Sequence, residues 1–157
     1  MRNLKAACVA LCLMLPLPFA AAAEAPAIAV LDFELNDLTV NPRQPEEIER
    51  TASIKASLQE ALASRYGYRI AALDSKAQQT ADAGVGYLFD HSDAAAALAR
   101  QFGADWIIVG RVHKASYLFV YFKARVVDVK SGEQIGDLAA RIDDTIKQSA
   151  RGTRLAN

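Results

Sequence analysis

The stretch GADWIIVGRVHKASYLFVYFKARVVDVKSG, residues 103–132, decides the fold. Gly103 closes a helix, and Asp105 to His113 then runs largely apolar, as expected of a strand covered on both faces. Trp106 and Ile108 belong to its core. Tyr117 to Val129 is a longer strand, Lys130-Ser131-Gly132 suits a tight turn, and Glu133 to Ile142 is a third strand. Connections this short predict antiparallel hairpins.

The same logic extends upstream. Ala27 to Phe33 (AIAVLDF) follows Pro26 as a near-continuous apolar strand, and Asn36 to Pro45, with two prolines and two asparagines, predicts an exposed loop of about ten residues. A helix follows from Glu46 to Tyr66. Its first turn is acidic, Gly67 is its stop, and Ile54, Leu58, Ala61 and Leu62 form its buried stripe. Tyr68 to Leu73 is a short strand, and Asp74 caps a weaker helix to Thr80. Ala81 to His91 reads as loop, with Gly84-Val85-Gly86 only a fragment of a phosphate-binding fingerprint, not preceded by a strand. Ser92 or Asp93 caps an alanine-rich helix to Phe102, and a last helix is predicted from Asp143 or Asp144 to about Leu155. The order β-α-β-α-α-β-β-β-α predicts an α/β (α+β) fold, a mixed sheet of about five strands with helices packed on it.

The first 23 residues read as a leader rather than as part of that fold. Arg2 and Lys5 precede an apolar run from Ala6 to Phe19, and Ala20 to Ala23 supply the small residues of a cleavage site. The run is shorter than the ~20 residues of a membrane-spanning helix. This predicts a cleavable signal, a single domain over 24–157 in the periplasm, and no stable membrane insertion. Both cysteines, Cys8 and Cys12, lie in the leader, and Leu11 before Cys12 argues against lipidation. The domain therefore has no disulfide and no thiolate metal site. Of 18 basic residues two are in the leader, and all 18 acidic ones follow it, so the domain is near −2. That balance gives no reason to expect nucleic acid as a partner.

With AIAVLDFE, a helix ending LASRYGYRI, then ALARQFGADWIIVGRV and ARVVDVKSGE, the chain resembles a family of small secreted proteobacterial proteins of unknown function. That family is related to the TolB N-terminal domain and the periplasmic part of the curli secretion protein CsgG. The resemblance spans essentially the whole of 24–157. It implies no enzymatic activity and no cofactor, and suggests docking or assembly in the cell envelope. The chain departs from the family's pattern in GVGYLFDHSD, where a cysteine pair is usual, and in IDDTIKQSARG, which lacks a usual tryptophan.

Side chains alternate along a strand, so Leu118, Val120, Phe122, Ala124 and Val126 share one face, assigned to the core. Tyr117, Phe119, Tyr121, Lys123 and Arg125 share the other, aromatic at one end and basic at the other. Aromatic and arginine side chains concentrate binding energy. This face is one candidate partner surface, and coverage by helices and solvent is the alternative. The second candidate is the loop, with Asn36, Asp37, Leu38, Thr39, Val40 and Arg43, although a solvated connection accounts for it equally. Asp90-His91-Ser92-Asp93 with His113 offers too few ligands for zinc. Ser92, His91 and Asp32 or Asp90 have the residue types of a hydrolase triad without a positioned nucleophile. The expected function is a non-enzymatic accessory module docking onto a cell-envelope protein; a periplasmic small-ligand binding protein is the alternative, and a hydrolase ranks third.

Overall fold

The computed structural model describes residues 24–143, so the predicted leader and the predicted last helix from Asp144 onward lie outside the described residues. Ten elements follow in the order β1 Ala27–Val30, β2 Glu34–Asp37, α1 Pro45–Tyr66, β3 Arg69–Ala71, α2 Ser75–Ala81, α3 Tyr87–Asp90, α4 Ser92–Arg100, β4 Trp106–Lys114, β5 Phe119–Asp128 and β6 Gln134–Asp143. They form a mixed six-stranded sheet, β3-β1-β4-β5-β6, with β2 also on β4. The α+β class, the mixed sheet and the β4–β5–β6 hairpins agree with the sequence reading. β1 runs parallel to both β3 and β4, and β4–β5 and β5–β6 are antiparallel.

Local signals explain most boundaries. Pro45 opens α1 with Glu46 and Glu47 in its first turn, and Gly67 ends it at φ 70°. Tyr68 N–H then bonds back to the Leu62 carbonyl at 3.2 Å, which satisfies one of the carbonyls a helix end leaves open. Asp74 caps α2 by accepting from Ala77 N–H at 2.6 Å.

Four expectations are corrected. A sixth strand, β2, occupies positions 34–37, so Asn36 and Asp37 are in the sheet and not in a loop. A short helix, α3, lies in the segment read as loop, because Leu88 and Phe89 can bury there. The cap of α4 is His91, with Ser92 and Asp93 already in its first turn. Asp143 closes β6 and so does not begin a helix.

β2 is the continuation of β1 after a one-residue bulge. Val30 is opposite Ile108 and Glu34 opposite Arg111, four steps on one strand against three on β4. An added residue reverses which side chains face which side. Ile28 and Val30 face α1, and beyond the bulge Phe33 does so in place of Asp32. The Phe33 ring lies against Gly110, where any β-carbon would overlap it, and stacks on Phe122 with centroids 5.1 Å apart. The bulge leaves Asp32 without ladder partners. Gln78 of α2 supplies them: its Oε1 accepts from Asp32 N–H at 2.7 Å and its Nε2 donates to the Asp32 carbonyl at 3.0 Å. Lys55 of α1 reaches the Asp32 carboxylate at 3.1 Å.

The sheet therefore has helices on both faces. On one, Ala29, Leu31, Ile107, Val109 and Val127 pack beneath α2, α3 and α4. On the other, Ile28, Val30, Phe33, Ile108 and Ala124 pack beneath Ile54, Leu58 and Leu62 of α1. Trp106, assigned to the core, is only half-buried at the rim of this second cluster, edge-on to Tyr68. Both clusters sit over the first half of β4 and the second half of β5. The opposite ends of these two strands extend past both clusters, toward the first turns of α1.

Candidate functional site

The far end of the sheet is built around Lys114, the last residue of β4. Its side chain is buried, which for an ammonium demands partners. Nζ lies 3.2 Å from Glu47 Oε1 in the first turn of α1 and 3.8 Å from Asp37 Oδ2 at the end of β2. The Tyr117 ring covers it, 5.4 Å from the ring centroid. One cation thus holds β2, α1, β4 and the β4–β5 turn together.

Asp37 organises the loop that follows it. Its Oδ1 accepts from Thr39 N–H at 3.0 Å and from the Thr39 hydroxyl at 2.7 Å, and its Oδ2 accepts from Arg43 N–H at 3.0 Å. Desolvation alone would raise the carboxyl's pKa. The Thr39 and Arg43 hydrogen bonds and the Lys114 charge outweigh it and hold the pKa below the ordinary carboxylate value. Leu38 N–H bonds the Lys114 carbonyl at 3.0 Å, which docks the start of the loop beside the end of β4. Arg43 is at φ 59° and is the residue where the chain turns toward α1. The loop is shaped by its own carboxylate, and Leu38 and Val40 project from it, 62% and 96% exposed.

The two candidate segments, about eighty residues apart in the chain, therefore meet at one end of the sheet. Of the loop residues, Asn36 and Asp37 are structural; Asn36 Nδ2 lies 3.1 Å from His113 Nδ1. Leu38 and Val40 face outward, and Thr39 turns back on Asp37. β5 begins at Phe119 and not at Tyr117, so Tyr117 and Leu118 lie in the β4–β5 turn; Tyr117 and Phe119 are exposed, Tyr121 is half-buried beside His113, and Lys123 points to solvent. Arg125 is engaged within the fold: its guanidinium lies over the Phe89 ring at 4.2 Å, and its Nη1 donates to the Phe89 carbonyl at 2.7 Å. It is joined there by Arg111, which pairs with Glu34 at 2.7 Å, and Asp90 sits against both guanidinium groups.

The face assigned to the core is split. Phe122, Ala124 and Val126 pack toward α1, but Leu118 is 63% exposed and Val120 only half-buried. Leu118 lies in the turn before β5 begins, and α1 crosses β1, β2 and β3 and leaves the α1-facing side of that turn open. A cavity of about 520 Å3 lies there, with Thr51 and Ile54 on one wall and Val112, Leu118, Val120 and Phe122 on the other. Lys114 and Glu47 close one end of it. The sequence reading missed Lys114, Glu47 and Leu118 as part of this end. A lysine closing an apolar strand, opposite an acidic helix start, was the available signal.

The residues considered for other chemistry are committed elsewhere. Asp32 pairs with Lys55, Asp90 faces the two arginines, and the His91 ring stacks on Tyr87 with centroids 4.5 Å apart. Among the described residues no three His, Cys, Asp or Glu side chains gather as a metal-binding group, and no helix is long and apolar enough to cross a membrane.

The DUF3280 family, described as "Protein of unknown function (DUF2380)", matches residues 26–155, and no curated protein matches the chain. Among solved structures, LpoB from E. coli is similar at TM-score 0.57 and 16% identity, over 76% of this chain and 57% of that one. Lipoprotein GNA1162 from Neisseria meningitidis is similar at TM-score 0.52 and 19% identity, over 84% of this chain and 97% of that one. A TolB structure from Acinetobacter baumannii aligns at TM-score 0.41 and 12% identity, over 76% of this chain and 24% of that one. At these identities the likeness is one of fold.

Proposed function

We propose that this chain, which belongs to the DUF3280 family, is a non-enzymatic accessory module of the cell envelope. It docks onto another envelope protein through the far end of its sheet. The observation that carries this reading is the convergence of Leu38 and Val40 from one segment with Tyr117 and Leu118 from the other, all exposed at one end that Lys114 and Asp37 hold rigid. A soluble domain rarely leaves large apolar side chains grouped in this way without a use for them. Preorganisation lowers the ordering cost of association. The leader pattern of residues 1–23 supports a periplasmic location, as does a fold shared with a neisserial lipoprotein. Asp90 is engaged by Arg111 and Arg125 and the His91 ring by Tyr87, which supports a structural role for this pair.

Photo-crosslinking in cells tests the proposal. With a probe at Val40 and another at Leu118, both positions are expected to capture the same envelope protein, while a probe at Lys76 on α2, away from this end, captures none. No adduct at either position from a folded, exported protein overturns the docking role.

One observation favours a second reading, a small-ligand binding protein: the cavity of about 520 Å3 beside Leu118 has the size of a ligand site and a largely apolar wall. Under that reading an apolar metabolite raises the apparent melting temperature, because a ligand bound only by the native state must stabilise it. Substituting Val120 by Trp fills the cavity and removes the shift.

A further inference from the structure

The two edges of the sheet are unlike. β3 is three residues long, and Arg69 on it pairs with Glu24 at 3.5 Å, so this edge is short and charged. β6 has ten residues, contains no proline, and among the described residues pairs only with β5. Ile135 and Leu138 on it are exposed, and among the described residues the helices pack mainly on the other strands. A long unpaired edge of this kind is a template for another strand.

Hydrogen-bond parity shows how β6 would be read. Ala115 N–H bonds the Phe119 carbonyl and Val129 N–H bonds the Asp105 carbonyl, so the odd-numbered residues of β5 bond toward β4. Its even-numbered residues therefore bond toward β6, where they face residues 136, 138, 140 and 142. Positions 137, 139 and 141 are left with their N–H and C=O groups directed away from the sheet. These three are Asp, Ala and Arg.

We propose that β6 is the interface with a second copy of this chain, the two β6 strands pairing antiparallel about a two-fold axis at Ala139. The parity allows only registers that set odd positions opposite odd positions. The register centred on Ala139 sets Asp137 opposite Arg141 of the second copy, twice by symmetry. Moving the centre one residue toward the C-terminus sets Asp137 opposite Asp143 instead, which like charges disfavour. The same centred register lays Leu138 beside position 140 of the second copy, on the face that α1 leaves open. Two six-stranded sheets become one continuous sheet. The far ends with Leu38 and Val40 stay outside the interface, so this inference does not depend on the docking role.

Sedimentation equilibrium of the protein as purified from expressing cells tests the interface. A concentration-dependent dimer is expected. Asp137→Arg alone and Arg141→Asp alone each set like charges opposite one another and raise the dimer dissociation constant about ten-fold or more. The double variant Asp137→Arg with Arg141→Asp restores it to within about three-fold of the parent. Ala139→Pro removes only an N–H that points away from the sheet, so it yields a folded monomer with an unchanged circular dichroism spectrum. A monomer at all concentrations overturns the proposal, as does a dimer indifferent to the single charge changes or one that the double variant fails to recover.

Discussion

The two halves of the β4–β5 hairpin carry similar side chains and meet opposite surroundings. In the half near β1, Ile107, Val109 and Val127 are buried beneath α4 and its neighbours, at 2% exposure or less. In the half near the turn, Val120 and Tyr121 are only half-buried and Phe119, where β5 begins, is exposed, as are Tyr117 and Leu118 in the turn before it. The difference lies above the sheet and not within the strands: α3 and α4 end over the first half, and α1 crosses the strands on the other side of β4. Polar groups divide the same way. Asp32 at the bulge is satisfied by side chains from two helices, whereas the far end is held by one buried lysine and one carboxylate that closes its own loop.

The sharpest way to break this comparison is to treat the two halves alike. Ile107→Ala removes a fully buried side chain from the covered half, and the lost transfer energy plus the cavity should cost about 2–5 kcal/mol. Urea denaturation would show it as a lower midpoint with an unchanged slope. A loss below about 1 kcal/mol would mean that this half is not the close-packed core described.

A smaller effect is expected at the joint of the two regions. Because Asp37 has its pKa lowered in the folded state, its stabilisation is present above the ordinary carboxylate value of ~3.9 and is lost as pH falls through the lowered folded value. Asp37→Asn should therefore be less stable than the parent at neutral pH, with the gap narrowing as the solution is acidified below that range. Thermal unfolding of both proteins across pH checks this, and a gap that stays constant would remove the ionised Asp37 from the account.

The smallest effect belongs to the exposed half. Leu118→Ala should change stability by no more than about 0.5 kcal/mol, as substitutions away from packed features do, while lowering the yield of the adduct captured at Val40. If instead it destabilises the fold as much as Ile107→Ala does, this end is covered and the contrast between the halves fails.

Much of this architecture was legible in the residues. Period-two alternation and short turns identified the β4–β5–β6 meander, Gly67 and Asp74 marked helix ends by their backbone chemistry, and the run AIAV announced a strand covered on both faces. These are local signals, set by neighbours in the chain. What escaped was set by residues far away. β2 was hidden because a bulge at positions 31–33 breaks the apolar run, and it exists only where β4 offers a second parallel edge. Arg125 looked like a recognition residue until Phe89 and Asp90, 35 and more positions away, were placed around it. Leu118 looked like core because the strand was read as starting at Tyr117, whereas β5 begins at Phe119 and leaves Leu118 in the turn.

The sequence by itself determined the α+β class, the hairpins, the Gly67 end of α1, the Asp74 cap of α2 and the leader pattern, because each follows from spacing and side-chain chemistry along a short segment. Only the tertiary structure decided that the Asn36–Arg43 segment and the Tyr117–Leu118 turn share one end, that Lys114 is a buried joint, and that among the described residues β6 pairs only with β5. Those outcomes depend on where α1 and the parallel strands come to rest, and that is a property of long-range packing which no local pattern encodes.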